Sequence, residues 1–291
     1  MAGIQTNRTA EGLLTLPAAV AGEIWAGTLE NSVVQRLARQ IAMPASGTQV
    51  QMITGEPEAG WVNETDEKPT SNAEFGTKFI RPYKLAVIEL FSDEFRRDYA
   101  TLYAELARRL PYALGRKFDL AALGYEASPG EGFDTLADAP EIALDGTVAP
   151  FFNALGSVAD AGGNVTGWAV TPRLEIDAMQ INDGNNRPIF MNSLSTDGSI
   201  GSILGRPVQK MNGIANGDVE GIAGDWSQAA WGAVEGIQIA MTDQATINHN
   251  GTQVNLWQRN MFALRAEIEI GFGVRDVNRF AKLVSSAEPA A

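Results

Sequence analysis

Alternation of apolar and polar positions is clearest near the end of the chain. From Phe262 to Val274 the residues Phe262, Leu264, Ala266, Ile268, Ile270, Phe272 and Val274 interleave with Ala263, Arg265, Glu267, Glu269, Gly271 and Gly273. A period of two over this length predicts a long strand with one buried face. Val277, Phe280 and Ala281 follow as a short apolar cap, and residues 285–291 read as a disordered tail.

The strongest helical period begins after Ser92. Phe95, Tyr99, Leu102, Tyr103, Leu106, Leu110, Leu114 and Phe118 fall on one stripe. Ser92 suits the N-cap, with Asp93 and Glu94 in the first turn, and Gly124 suits the stop. The helix so predicted, residues 93–123, spans roughly 45 Å at the α-helical rise. Pro111 inside it should kink or split it, which makes Pro111 the candidate hinge.

Ahead of that helix lies a candidate arm. Residues 49–54 read as a short strand and 75–91 as a long one. The first half of the long strand alternates, and its second half, Leu85 to Phe91, is nearly all apolar, as a strand buried on both faces would be. Between the strands runs a polar stretch with Glu56, Glu58, Glu64, Asp66, Glu67 and Lys68, and with Trp61 exposed among them. An isolated hairpin is marginal in water, so such an arm needs a surface to lie on, and a neighbouring subunit is the natural one. Earlier still, Pro17 opens a helical pattern through Val20, Ile24, Trp25 and Leu29. Residues 32–43 fit helix or strand equally.

Between residues 136 and 258 short apolar runs alternate with Gly, Asn and Asp turns. Helices are predicted at 150–161 and 172–179, and strands at 167–171, 207–211 and 236–241. Residues 196–205 read as a flexible loop. The pattern suggests a second unit mixing helix and strand.

Composition narrows the function. The 291 residues hold 22 Lys and Arg against 35 Asp and Glu, a formal net charge of −13. A nucleic-acid reader would show a clustered basic face instead. A wall that repels phosphate would still suit a DNA container, because the contents stay mobile. The chain has no Cys, which excludes disulfides and thiolate metal sites. No apolar run is long enough to span a bilayer as a helix, and the first ten residues lack a signal-peptide pattern.

Candidate chemistry is sparse. His249, the single histidine, sits in the polar turn Asn248-His-Asn-Gly251, and no Gly-x-Ser-x-Gly elbow or phosphate-binding Lys motif is present. Residues 198–205 and 183–188 imitate a phosphate loop and a calcium loop only superficially. The acidic run Glu56–Glu67 could supply a carboxylate pair to a carbohydrate-active enzyme. A charged tip that discourages edge aggregation accounts for it better.

The order of these parts resembles the major capsid proteins of tailed bacteriophages, with the fold first seen in phage HK-ninety-seven. Several phrases carry the resemblance: Leu16-Pro17, Phe91-Ser-Asp-Glu-Phe95, Gly167-Trp-Ala-Val-Thr-Pro172, Leu204-Gly-Arg-Pro-Val208, Gly224-Asp-Trp226 and Ile270-Gly-Phe-Gly-Val274. The resemblance implies an α+β fold divided into an N-terminal arm (1–31), a first peripheral segment (32–44), an extended loop (45–91), a peripheral domain with a spine helix (92–139), an axial domain (140–258) and a closing peripheral strand (259–284). It implies a non-enzymatic subunit without cofactors that forms pentamers and hexamers, assembles in the cytoplasm of a bacterial host and resides in the virion. Its partners would be copies of itself, a portal, a decoration protein and a separate scaffold or none. Packaged DNA would be met by non-specific proximity only, and no membrane. Inter-subunit contacts would fall on Glu56, Glu58, Trp61, Glu64, Asp66, Glu67, Lys68, Lys78 and Trp25. Some family members crosslink an extended-loop Lys to a neighbour's Asn; Lys68 and Lys78 are the candidates here, and the partner Asn cannot be placed. An encapsulin-like nanocompartment shares the fold, and a monomeric carbohydrate-active enzyme using Glu56–Glu67 remains the alternative from another class.

Overall fold

The computed structural model describes residues 14–15, 26–28, 32–53, 61–62, 75–94, 99–182, 185, 187, 189–190, 200–211 and 218–285. Its organising element is a strand of 14 residues, Met261–Val274, which is β15 in chain order. Phe262, Leu264, Ala266, Ile268, Ile270, Phe272 and Val274 are all buried, as the alternation predicts. Opposite them lies a helix, α2 (Tyr99–Ala122), whose Leu106, Leu110, Leu114, Phe118 and Ala122 recur every fourth residue and are buried along one stripe. Phe118, Phe133 and Phe272 meet at ring-centroid distances of 6.2 Å, within the range of favourable aromatic pairs. Each such side chain contributes roughly 1.5–3 kcal/mol through burial.

Before β15 the chain passes through β1 (Leu14–Thr15), α1 (Val33–Leu37), β2 (Arg39–Gln40), β3 (Thr48–Ile53), β4 (Phe75–Ile80) and β5 (Tyr83–Ser92). After α2 come β6 (Glu141–Leu144), α3 (Ala149–Asp160), β7 (Gly167–Val170), α4 (Pro172–Met179), β8 (Ser202–Ile203), β9 (Arg206–Lys210), β10 (Val219–Gly224), β11 (Ala229–Ala233), β12 (Gln238–Thr242), β13 (Thr246–His249) and β14 (Thr252–Asn255). β16 (Phe280–Ser285) follows β15.

Two six-stranded sheets result. In the first, β15 is antiparallel to β11 and β12 and also to β5; β2 and β1 extend the order to β1-β12-β15-β11-β2. The second has the order β6-β16-β10-β7-β9-β8. Its central strands separate two cores. Ala169, Ile222 and Phe280 join the core of α2 and β15. Trp168, Val170, Ala223, Ala281 and Leu283 face a second core with Phe151 and Val158 of α3 and Leu174 of α4.

Several expectations need correction. Leu85–Phe91 is not buried on both faces: β5 is only half-buried, with Ile88 exposed, because its described partner is β15 alone. Strands covered on both sides include β7, the end of β10, β11, the end of β15 and the first half of β16. The predicted strand 75–91 is two strands, broken at Arg81-Pro82, where β4 pairs with β3 and β5 turns to β15. Ser92 ends β5 and its hydroxyl accepts from Glu94 N–H at 3.4 Å, Asp93–Glu94 form a 3₁₀ turn, and the described helix begins at Tyr99. It runs through Pro111 to Ala122, with Gly124 in the left-handed conformation just beyond, as predicted. Residues 200–205 are not a loop, because Ser202–Ile203 pairs with Arg206–Pro207 across a two-residue turn. The apolar cap at 277–281 leads instead into β16, set between β10 and β6. Within the sheets, β11 and β12 lie beside β15, and β16 lies in the second sheet between β10 and β6.

Candidate functional site

β3 and β4 form a two-stranded sheet of their own, in register from Thr48↔Ile80 at the root to Ile53↔Phe75 at the far end. Three features hold the root. Lys78 Nζ lies 2.7 Å from Asp134 Oδ2 and donates to the Val274 carbonyl at 2.8 Å. The same Asp134 oxygen accepts from Val274 N–H at 2.8 Å, so one carboxylate ties the arm to the end of β15. Ile80 is buried where β15 carries Gly273; a Cβ there would approach Ile80 Cδ1 to 2.2 Å, so the close approach requires glycine. Beyond Ile80, Arg81 N–H donates to the Gly132 carbonyl and the Tyr83 hydroxyl to the Glu131 carbonyl, each at 2.8 Å. Phe79, on the opposite face of β4, is exposed.

A narrow slot separates the arm root from the first sheet. Val50, Lys78 and Ile80 line one side, and Arg39, Gln228 and Arg275 the other. Arg39 and Arg275 are both exposed.

The N-terminal segment is fastened at a second point. Asp119, in the last turns of α2, is buried at 2% exposure. Its Oδ1 accepts from the Ser32 hydroxyl at 2.6 Å and Val34 N–H at 3.2 Å, and its Oδ2 from Val33 N–H at 2.8 Å. The carboxylate therefore satisfies backbone donors that the first turn of α1 leaves open. Burial pushes Asp119 up to about 7, against the opposing pull of those three bonds and of Arg36. From α1 the chain continues into β2, parallel to β11, and Ile41 N–H donates to the Trp231 carbonyl.

The remaining polar burial serves the second sheet. Glu175 of α4 accepts from Ile200 N–H at 3.1 Å and pairs with Lys210 at 2.9 Å. Lys282 donates to the Ala137 carbonyl and pairs with Glu141 at 3.0 Å. An open groove between β6 and α4 contains Asp145, Arg173, Asp177 and Glu220. Burial, then the charge of Asp177, raises the Glu220 carboxyl above its usual range. Among the described residues no three His, Cys, Asp or Glu side chains are grouped to hold a metal. His249 is exposed in the β13–β14 hairpin beside the turn at Asn250-Gly251.

Of the residues singled out from the sequence, Lys78 sits at the arm root, Trp61 is fully exposed, and Pro111 lies within α2. Trp25, Glu56, Glu58, Glu64, Asp66, Glu67 and Lys68 lie outside the described residues. Sequence reasoning missed Asp119, Asp134, Arg39 and Arg275. Asp119 gave one faint signal, an acid directly beside the apolar stripe at Phe118; the others gave none.

The family model of the phage capsid family matches residues 12–285. The chain is 31% identical over 274 residues to the probable major capsid protein gp17 of Mycobacterium phage L5, covering 87% of this chain and 84% of that protein. Among solved structures it resembles a chain of Gordonia phage Cozz with a TM-score of 0.72 at 23% identity, over 89% of this chain and 87% of that one. A chain from the capsid of a native GTA particle, computed with C5 symmetry, aligns with a TM-score of 0.64 at 16% identity, over 99% and 96% of the two chains. These likenesses establish a shared fold, and the match over 12–285 goes further: the chain belongs to the phage capsid family.

Proposed function

We propose that this chain is the major capsid protein of a tailed bacteriophage, assembling as pentamers and hexamers into an icosahedral head around double-stranded DNA. The observation that carries the reading is the β3–β4 arm. Among the described residues it shares no sheet with its own body, is clamped at its root by Lys78, Asp134 and Ile80, and leads into a strongly acidic sequence. Such a hairpin gains little by itself and is stabilised by lying on a neighbour. Residues 140–258 would supply an axial domain facing the local symmetry axis, and α2 the spine of a peripheral domain with its hinge at Pro111. Contacts of this heterologous kind close into a shell when the subunit adapts slightly between environments, and many weak ones sum to a stable particle.

The role is structural rather than enzymatic. The net charge of −13 keeps the wall from gripping the packaged DNA. Assembly would take place in the cytoplasm of the bacterial host, with a portal, and with scaffolding and decoration proteins as candidate partners. Negative-stain imaging of the purified chain tests the reading directly: closed shells are expected, and a monodisperse monomer at high concentration would refute it. Glu64→Lys with Glu67→Lys should lower particle yield without changing the circular dichroism of the unassembled subunit.

A further inference from the structure

The tip of the β13–β14 hairpin brings the chain's single histidine against an asparagine that precedes glycine. Asn250 and Gly251 are the two turn residues inside the closing pair His249↔Thr252. Their φ angles of 51° and 80° are the left-handed values that a type I′ turn demands. Asn250 Nδ2 lies 3.3 Å from His249 Nε2. Gly251 takes no part in the strand pairing, and a Cβ placed on it would meet nothing within 4 Å. Residues 248–251 are all exposed.

This tip opens without disturbing the core. Apolar anchoring of the hairpin begins at the register pair Ile247↔Val254, which packs with Leu256, Ala263 and Leu90. Beyond it Asn248↔Gln253 and His249↔Thr252 are exposed polar pairs, so separating them uncovers no apolar area. A two-stranded ribbon held at its base frays at its end. Once the turn opens, rotation about Asn250 ψ brings Gly251 N to Asn250 Cγ. Glycine leaves that approach unobstructed because it has no Cβ.

We propose that Asn250 is a self-modification site, converted to aspartate or isoaspartate through a cyclic imide, with His249 as proton donor to the departing nitrogen. The inference is independent of the shell-forming reading. Gly251 N gives its proton to solvent and adds to Asn250 Cγ, closing a five-membered ring. The addition ends the conjugation of Nδ2, which then accepts the proton that a charged imidazole holds at Nε2. The Cγ–Nδ2 bond breaks and ammonia leaves. Water opens the ring at either carbonyl, so one amide and one water yield one carboxylic acid and one ammonia. The imidazole recovers its proton from solvent. No charged side chain competes for it: residues 246–255 contain no other titratable group, and Leu90, Met261 and Ala263, packed against the hairpin, are apolar. Either product adds a negative charge to the tip. Opening at the main-chain carbonyl also routes the backbone through the Asn250 Cβ, which lengthens the turn beyond what a I′ hairpin accepts.

Ageing the purified full chain in neutral buffer at body temperature, with peptide mapping by mass, tests the site. A gain of one mass unit at residue 250, resolved into aspartate and isoaspartate forms, is expected to accumulate. His249→Gln should slow it at least about threefold, a modest share of what a positioned acid supplies. Asn212 and Asn216, which also precede glycine and lie outside the described residues, should keep their wild-type rates in that variant. The ratio of wild-type to variant rate should be largest at about pH 6 and shrink towards about pH 8.5, as a histidine loses its charge. Gly251→Ala should slow conversion at least about tenfold, because its Cβ obstructs ring closure. Both variants should keep the wild-type circular dichroism. An Asn250 that stays intact overturns the site. Equal rates in wild type and His249→Gln, or a ratio that does not change with pH, overturn the role of the imidazole, and undiminished conversion in Gly251→Ala overturns the ring route.

Discussion

Replacing Asp119 by Ala removes the one acceptor shared by the Ser32 hydroxyl and the Val33 and Val34 N–H groups. All three donors belong to fully buried residues, so water reaches them poorly once the carboxyl is gone. An orphaned buried donor costs about 1–3 kcal/mol, and partial rescue by one water leaves a net loss of roughly 3–5 kcal/mol. The loss should depend on pH. Asp119 rises from 3.8 to about 7 on folding. Between those values the folded chain binds more protons than the unfolded one, so stability falls as pH climbs from about 4 to 7 and is level above. At ~1.4 kcal/mol per unit the group accounts for at most about 4 kcal/mol across that window. The Ala variant lacks this slope, so its deficit should be larger at pH 5 than at pH 8, by roughly 2–3 kcal/mol. Urea unfolding of unassembled subunits, followed by tryptophan fluorescence at both pH values, measures it. A deficit under about 1 kcal/mol at pH 5, or an equal deficit at both, would refute the account of Asp119 as a buried cap for α1.

Phe272→Ala opens a cavity where three rings meet and should cost about 3–5 kcal/mol, read as an earlier denaturation midpoint of the same subunit. Lys78→Met should act otherwise: the Lys78–Asp134 pair is partly exposed, so global stability should drop by less than about 1 kcal/mol. Amide exchange across 48–53 and 75–80 should nevertheless accelerate, and unchanged exchange would show that Ile80 alone holds the arm.

The elements legible in the sequence are those whose period is carried by large side chains. β15 and α2 fall within a few residues of prediction, and α4 spans 172–179 as expected. Two of the strands that went unseen, β10 and β11, are built largely of small residues. β11 reads Ala-Ala-Trp-Gly-Ala and β10 Val-Glu-Gly-Ile-Ala-Gly, compositions with little intrinsic strand preference, fixed by pairing with β15 and β16 from far along the chain. The apparent double burial of Leu85–Phe91 misled because apolar content reports what a strand can bury, not whether a neighbour exists to cover it. The candidate site divides in the same way. The arm and its acidic run are local features of sequence, whereas the clasp that joins Lys78 and Asp134 to Val274 spans 196 and 140 positions and exists only after folding.

β15 and β16 also set a schedule for biogenesis. One is the strand on which the first sheet is built and the other sits inside the second, yet both are translated after nearly every segment they join. Neither sheet can close while the ribosome is still working through residue 260, so folding waits until synthesis is nearly finished. Prematurely ended products would lack both cores, and the growing particle would thereby be protected from incorporating incomplete copies.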